Sequence, residues 1–244
     1  MLTSAGAELL PRVRPKLEAL KDTLSTLPER EEAPSGELRI TAPVDIGAFW
    51  LPAVLSGFAI RYPAVRIHLR LLNRAVDLVA GGFDLALRAS VSGKLADSSL
   101  VARRLGAFEQ QVFAAPTYLA RSAPVKTAAD AADHAWVAFQ DARWPSPLLA
   151  PSQGAQLVVD DFLVLREAVT AGMGLGLMPT FLVRDHVAGG TLVRVLPRVS
   201  FQRGALHLLH PPSPQLPRKV TAFRDVLIQH IALHPLVGES AGGR

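Results

Sequence analysis

Residues 36–88 read GELRITAPVDIGAFWLPAVLSGFAIRYPAVRIHLRLLNRAVDLVAGGFDLALR, and the periodicity of this stretch decides the fold class. Apolar and polar residues alternate over 38–42 and again over 65–71, which predicts two strands. Between these strands, the apolar side chains of 49–62 recur at helical spacing, and prolines flank them on both sides. The stretch therefore begins as strand, helix and strand.

Two further elements follow in the same stretch. Residues 76–80 are expected to form a short helix, and two glycines then turn the chain into a third strand over 83–87. Strands joined by helical crossovers lie parallel, and ligands bind outside the carboxyl ends of such strands. The sequence therefore predicts an α/β fold with binding residues at 43–45, 72–74 and 88.

Composition limits the class of protein. The 244 residues are 49% hydrophobic and 19% charged, which suits a globular chain of one large or two small domains. The net charge of +5 comes from scattered basic residues and favours a solvated surface over a nucleic-acid face. The chain has no cysteine, which excludes disulfides, thiolate catalysis and cysteine metal sites. Since neither a signal peptide nor a membrane-spanning apolar run is present, we expect a cytoplasmic protein without a membrane partner.

The rest of the chain predicts a second group of elements and a final helix. This amphipathic helix opens at Pro217 and carries Val220, Phe223, Leu227 and Ile231 on one face. The pattern favours two lobes with a cleft between them, lobe I over about 36–114 plus 211–235 and lobe II over about 115–210. The other predicted elements are strands at 110–115, 136–139, 156–159, 192–196 and 205–209, and helices at 162–171 and 181–187.

The first thirty residues carry a heptad pattern. Their apolar positions are spaced 3-4-3-4-3, as in a helix that pairs with another helix. Pro11 and Pro15 do not fit an uninterrupted coiled coil, and a surface helix packed on its own domain is the alternative. Because a Pro- and acid-rich linker follows, residues 1–30 are predicted to form a linker and dimerisation helix. The apolar stripe consists of Leu10, Val13, Leu17, Leu20, Leu24 and Leu27.

Eight blocks of sequence, taken in order, resemble one known family. They are LTSAGAELLPRVRPKL (2–17), GELRITAPVDIG (36–47), RAVDLVAGGFDLALR (74–88), DSSLVARRLG (97–106), AAPTYLAR (114–121), AVTAGMGLGLMP (168–179), LVRVLP (192–197) and LPRKVTAFRDVL (216–227). Each block alone is a weak signal, but the ordered set is specific. Over essentially its whole length the chain resembles the LysR-type transcriptional regulators.

The resemblance implies a fold, partners and a function. The fold is α/β, a two-lobed periplasmic-binding-protein-like (type 2) effector domain at 31–240 that follows the linker helix. The implied partners are a small-molecule effector and further copies of the chain in a homodimer or homotetramer. In the family a winged helix-turn-helix precedes the linker helix, and this sequence starts after it, as a fragment, a chain with a misplaced start or a shortened form. DNA contact is therefore expected only through an element that these residues lack.

The family's effector cleft maps by position onto residues of both lobes. We expect Arg88 and the backbone amides of a helix that starts near Asp45 to bind a small acidic effector. The alternatives are that Arg88 pairs with Asp84, that Arg74 faces solvent and that Phe113 belongs to the core. One aspartate of the pair before the helix at 162–171 is also expected to cap it. The predicted ligand-binding set is Pro43, Val44, Asp45, Asn73, Arg74, Arg88, Phe113, Ala114, Asp160, Asp161, Met178 and Pro179.

Other chemistries have weaker support in the sequence. His207 with His210, and His230 with His234, have spacings that could hold a metal, but no carboxylate accompanies either motif, so structural or surface histidines are expected. The glycine-rich segment 172–179 follows a helix and is expected to be a turn, not a nucleotide loop. No catalytic motif is present, and we expect a protein that is not an enzyme and uses no cofactor or metal. A free-standing solute-binding protein and a regulator that acts only by dimerisation are the alternative functions.

Overall fold

The structure, a computed structural model, describes residues 3–26, 33–91, 99–140, 144, 150–197, 199 and 202–236. The helices are α1 (Ser4–Thr26), α2 (Val44–Phe49), α3 (Leu51–Arg61), α4 (Pro116–Leu119), α5 (Ala128–Ala132), α6 (Phe162–Thr170), α7 (Arg184–Ala188) and α8 (Arg218–Leu233). The strands are β1 (Gly36–Ala42), β2 (Val65–Leu71), β3 (Leu85–Ser90), β4 (Val101–Ala114), β5 (Trp136–Phe139), β6 (Leu157–Val159), β7 (Leu175–Pro179), β8 (Val193–Val195) and β9 (Gln202–His210). A 3-10 turn, Thr180–Leu182, follows β7.

One mixed sheet runs through the described part of the chain in the order β2-β1-β3-β9-β4-β7-β5-β6, with β8 paired to β4. The predicted parallel pairing is confirmed, because β1 lies parallel to both β2 and β3. β5 likewise lies parallel to β6 and β7. Between these groups, β4 and β9 pair antiparallel to each other. On their outer sides β9 pairs with β3, and β4 pairs with β7. The long β4–β9 pair therefore joins the two parallel groups, which we call lobe I and lobe II.

Each lobe has its own core. In lobe I, α3 and α8 cover β1 and β3, and the rings of Phe58 and Phe223 meet edge-on with centroids 5.2 Å apart. In lobe II, one cluster around Trp136 and another around Phe113 cover opposite faces of the sheet, since neighbouring strand residues point to opposite sides. The predicted face of the last helix is confirmed, since the buried residues of α8 are Val220, Phe223, Leu227 and Ile231.

The predicted helix over 76–80 is wrong. The chain forms a turn at 78–82, and Asp77 Oδ1 accepts hydrogen bonds from the amides two and three residues later, at 2.9 and 3.0 Å. Such side-chain bonds offer the backbone an alternative to a helix, and a single turn is too short to nucleate one. The third strand consequently runs over Leu85–Ser90 and not over 83–87.

The strand pair at the lobe junction is longer than the sequence predicts. β4 begins at Val101, nine residues before the predicted strand at 110–115. The strand predicted at 205–209 is observed as the longer β9, Gln202–His210. Its Leu206 and Leu208 are buried in the core of lobe I, although the sequence placed them in lobe II. Alternation marks a strand but does not say which strand it pairs with, so this contact depends on tertiary structure.

The glycine-rich segment 172–179 is a turn followed by buried strand β7, as predicted. Gly172 has φ +84°, a conformation that side chains rarely adopt. A Cβ at Gly174 would lie 2.3 Å from the Ala135 carbonyl oxygen, so the close approach of the start of β7 to the start of β5 requires glycine there. These glycines serve packing within lobe II.

Helix α1 is continuous through both of its prolines. Leu9, Leu10 and Leu17 are 59%, 46% and 52% exposed, so the helix does not bury these side chains against its own domain. Val13 is half-buried. Two other positions of the predicted stripe, Leu20 and Leu24, lie within α1, and Leu27 lies outside the described residues.

Candidate functional site

Asn73 connects the two lobes. In lobe I, its Oδ1 accepts a hydrogen bond from the Val44 amide at 3.0 Å. Its Nδ2 donates to the backbone oxygen of Asp160 at 2.7 Å and to Asp161 Oδ2 at 3.2 Å, both in lobe II. The structure therefore brings together four residues that the sequence assigned to the cleft, although 87 positions separate Asn73 from Asp160.

Asp161 is the N-cap of α6, as the sequence predicts for one member of the aspartate pair. Its Oδ1 accepts hydrogen bonds from the Leu163 and Val164 amides at 2.7 and 3.2 Å. Its other oxygen is the one that Asn73 contacts. Both carboxylate oxygens are thus occupied by groups of the chain, and the side chain fixes the start of α6 against lobe I.

Asp45 is a buried acid in the first turn of α2, and only 7% of the residue is exposed. Burial raises its pKa to about 6, and the nearby charge of Asp161 adds to this effect, while a hydrogen bond from the Ile46 amide opposes it. At pH values near 6 the carboxyl is therefore partly protonated and can donate a hydrogen bond.

The amides at the start of α2 are not free, contrary to expectation. The Val44 amide donates to Asn73, and the Ile46 amide donates to the Asp45 carboxylate at 2.8 Å. Because these two donors have acceptors within the chain, an anion gains them only by displacing a side chain. The helix start is therefore a weaker anion site than the sequence suggested.

Arg88 lies in β3 with an incompletely satisfied guanidinium group. Its Nη1 donates to the backbone oxygens of Leu72 and Leu87, each at 3.4 Å, and its Nη2 is buried without a hydrogen-bond partner. Burial lowers the pKa of this guanidinium. The alternative partner Asp84 is used elsewhere, since it accepts a hydrogen bond from the Arg39 amide at 2.7 Å and pairs with Lys219 at 3.3 Å.

A polar strip surrounds Arg88 on the same face of the lobe I sheet. Thr41 of β1 stands level with Ala86, two residues from Arg88, and its Oγ1 is fully buried without a partner. His207 is directly opposite Arg88 on β9, and its Nε2 lies 3.2 Å from Ser90 Oγ. Thr41 and Ser90 are absent from the predicted set, and His207 was expected only as a structural or surface histidine; the only signal in the sequence was a polar residue within each strand.

A further buried polar group lies in the strand pair that joins the lobes. Gln111 of β4 is 6% exposed, and its Oε1 has no hydrogen-bond partner. Gln111 pairs with Met178 of β7. Unsatisfied buried acceptors are rare in folded proteins, so this glutamine joins Thr41 and Arg88 as a group available to a ligand.

Several predicted cleft residues lie in the core or in solvent. Phe113 and Met178 are fully buried in the core of lobe II, and Ala114 is buried on the opposite face. Pro179 is buried at the end of β7, and Arg74 is exposed. The alternatives of a core Phe113 and a solvent-facing Arg74 are therefore the arrangements observed.

A second contact between the lobes lies beside Asn73. The guanidinium of Arg166 on α6 stacks over the ring of Phe49 on α2, with 4.6 Å between its carbon and the ring centroid. Arg166 is held in place by Glu167 at 2.7 Å. Helices α2 and α6 are thus in contact near the point where Asn73 joins the lobes.

Comparison with known families identifies the class of protein. The model of the LysR substrate binding domain matches residues 31–232. The chain belongs to the LysR family of transcriptional regulators. This LysR-family domain is 31% identical over 242 residues to the HTH-type transcriptional regulator PtxR of Pseudomonas aeruginosa. The alignment covers 96% of this chain and 77% of PtxR. It is 30% identical to the HTH-type transcriptional activator AaeR of Escherichia coli, with 94% of this chain and 76% of AaeR covered.

Solved structures of LysR-type regulators have the same fold. The full-length structure of the Vibrio cholerae virulence activator AphB is 28% identical to this chain in sequence. The superposition covers 94% of this chain and 80% of the AphB chain, with a TM-score of 0.69. The regulatory domain of CrgA from Neisseria meningitidis, at 24% identity and a TM-score of 0.70, supports the fold alone. The α/β, periplasmic-binding-protein-like (type 2) fold is confirmed.

Membership of this family decides the general function. The matched part is the effector-binding regulatory domain of a LysR-type transcriptional regulator, a family of oligomeric proteins that are not enzymes. Among the residues that the structure describes, no helix is both long enough and apolar enough to cross a membrane.

Proposed function

We propose that this regulatory domain binds a small carboxylate in the cleft between its lobes, with Arg88 as the principal anchor. The observation that carries the proposal is the buried Nη2 of Arg88, which lacks a partner. An unsatisfied buried donor costs free energy of about 1–3 kcal/mol, and a carboxylate oxygen would remove that cost. The charge of a carboxylate would also offset the burial of the guanidinium.

Four other polar groups support a polar ligand at the same site. Thr41 Oγ1 shares the sheet face of Arg88 and can donate a hydrogen bond. Asp45 can donate when protonated, and Asn73 and Asp161 lie at the contact between the lobes. Pro43, Val44 and Asp160 would complete the wall of the cleft, while Phe113, Ala114, Met178 and Pro179 would support it from lobe II.

We further propose that effector binding controls transcription through the arrangement of the lobes and of the dimer. A ligand that prefers one lobe angle shifts the population towards that angle. The linker helix α1, with exposed Leu10 and Leu17, would transmit the change to a DNA-binding element in a homodimer or homotetramer. In this proposal the regulator acts in the cytoplasm. Lobe I covers about 36–114 plus 211–235 and lobe II about 115–210, except that Leu206 and Leu208 pack in lobe I while Phe113 and Ala114 pack in lobe II.

The test is calorimetry with a panel of small aliphatic and aromatic carboxylates. The panel first identifies a carboxylate that binds the unaltered chain. Arg88→Ala should weaken the binding of that carboxylate by about tenfold to a hundredfold, since a charged hydrogen bond contributes about 1.5–3 kcal/mol. Arg74→Ala is the matched control, because Arg74 is a nearby exposed arginine. Equal affinities for the unaltered chain and Arg88→Ala, or no binding of any carboxylate, would contradict the proposal.

A further inference from the structure

The sequence contains two histidine pairs, and the two rings are in contact in only one of these pairs. His207 and His210 lie three residues apart in β9, where alternate residues face opposite sides of the sheet. Their rings accordingly contact different groups, since His207 Nε2 lies 3.2 Å from Ser90 Oγ and His210 Nδ1 lies 2.7 Å from the Pro211 oxygen. This pair cannot share one ligand.

His230 and His234 lie one turn apart on the last part of α8, and their rings stand together. Their centroids are 4.7 Å apart, with 42° between the ring planes. A Zn²⁺–N bond of about 2.0–2.1 Å places an imidazole centroid about 3.2 Å from the ion, so two rings at a ligand angle of about 90–110° have centroids about 4.5–5.2 Å apart. We propose that His230 and His234 form a binding site for a divalent transition-metal ion.

The ring nitrogens of this pair are available. Within the described part of the chain, neither His230 nor His234 makes a side-chain hydrogen bond, and His234 is exposed. An ion can therefore reach both rings from solvent without displacing a protein group.

The surroundings of the pair orient one ring and favour a cation. Trp50 packs edge-on against His230 with centroids 5.3 Å apart, which limits rotation of the histidine ring. His234 is the C-cap of α8, and its amide donates to the His230 carbonyl. The last turn of a helix carries partial negative charge, which stabilises a cation placed near it.

The ligand set selects the class of ion. Imidazole nitrogens suit Cu²⁺, Ni²⁺ and Zn²⁺, and Cu²⁺ binds such a site most tightly. Groups of three or more histidine, aspartate or glutamate side chains that could hold a metal are absent from the described residues, so this pair supplies two ligands and water would supply the others. The expected site is therefore a two-histidine chelate of moderate affinity beside the junction of α2 and α3.

Titration of the full chain without a histidine tag tests the site. CuCl₂ should quench the fluorescence of Trp50, and calorimetry with CuCl₂ and ZnCl₂ should give one ion per chain. His230→Ala and His234→Ala should each weaken Cu²⁺ binding by about tenfold or more, because a single imidazole cannot chelate. His68→Ala is the control, since the His68 side chain is 60% exposed and lies on β2.

The exposed position of His234 keeps the test independent of folding. Its replacement removes no buried contact, so the thermal melt of His234→Ala without metal should match that of the unaltered chain. Cu²⁺ affinity that stays the same in His234→Ala overturns the proposal, and so does an equal loss of affinity in His68→Ala. Persistence of the quenching in Trp50→Phe would place the ion elsewhere and would also overturn it.

Discussion

At the scale of single residues, burial at the proposed site disfavours the charged forms of two side chains, Arg88 and Asp45. Arg88 keeps an unpartnered Nη2, and burial lowers its pKa, which supports the proposal of a ligand that brings negative charge. Asp45 is buried near Asp161, and both effects raise its pKa. A carboxylate ligand and a protonated Asp45 are therefore compatible, because the acid then acts as a hydrogen-bond donor.

The raised pKa of Asp45 predicts a dependence of stability on pH. The folded chain holds this proton up to a pH of about 6, whereas the unfolded chain loses it near 3.8. Stability therefore falls as the pH rises between these values, and the cost is complete above a pH of about 7. Asp45→Asn keeps an acceptor for the Ile46 amide and should be more stable by about 3 kcal/mol at pH 8 but not at pH 4. Urea unfolding at both pH values measures this, and a difference independent of pH would contradict it.

At the scale of elements, α1 and α6 illustrate two ways in which a helix is fixed. α6 begins at the Asp161 cap and buries Leu165 and Val169 in lobe II. α1 has no acidic residue in its first turn and leaves Leu10 and Leu17 exposed. Since most helical stability in proteins comes from packing of an apolar face, we propose that a partner helix covers this stripe.

The exposed stripe of α1 predicts the effect of substitutions on assembly. Leu10→Ser with Leu17→Ser should raise the dissociation constant of the oligomer by about a hundredfold or more, because each buried leucine contributes about 1.5–3 kcal/mol. Leu9→Ser is the matched control, since Leu9 is 59% exposed but lies outside the heptad positions. Sedimentation velocity over a concentration series measures the assembly. An oligomer that tolerates the double substitution, or is lost equally in Leu9→Ser, would show that α1 does not pair through this stripe.

At the scale of the whole molecule, two lobes meet at a strand junction and at a side-chain contact. The β4–β9 pair joins the lobes through the backbone, and Asn73 and the Phe49–Arg166 stack join them through side chains. The second kind of contact can break without unfolding either core. These side-chain contacts lie near the proposed ligand site, so we expect them to change when the lobe angle changes.

Removal of the Asn73 side chain should loosen the lobes. Asn73→Ala deletes the bonds to Val44, Asp160 and Asp161, and we expect hydrogen exchange at the Val44 amide to become about tenfold faster or more, since each bond contributes about 1 kcal/mol. Small-angle X-ray scattering should show a larger radius of gyration. Arg74→Ala is the control, because Arg74 is the exposed neighbour in the sequence. Unchanged exchange and scattering in Asn73→Ala would mean that this side chain does not hold the lobes together.

The sequence by itself determined the elements and the local chemistry. Alternation and helical spacing are local properties, and they correctly predicted β1, β2, the parallel pairing, the buried face of α8 and the aspartate cap of α6. They failed at 76–80, where the Asp77 side chain competes with the helix for backbone amides. The resemblance of ordered blocks to the LysR family supplied the fold, which is confirmed, and a set of cleft residues that stays a prediction.

Tertiary structure alone decided which side chains meet. The bonds of Asn73 to residues 87 and 88 positions away exist only because the lobes dock, and no periodicity records that event. The same holds for the unpartnered groups of Thr41, Arg88 and Gln111, since the absence of a partner is a property of the packed surroundings. Local patterns specify strands and helices, whereas a binding site depends on contacts between residues that are distant in the chain.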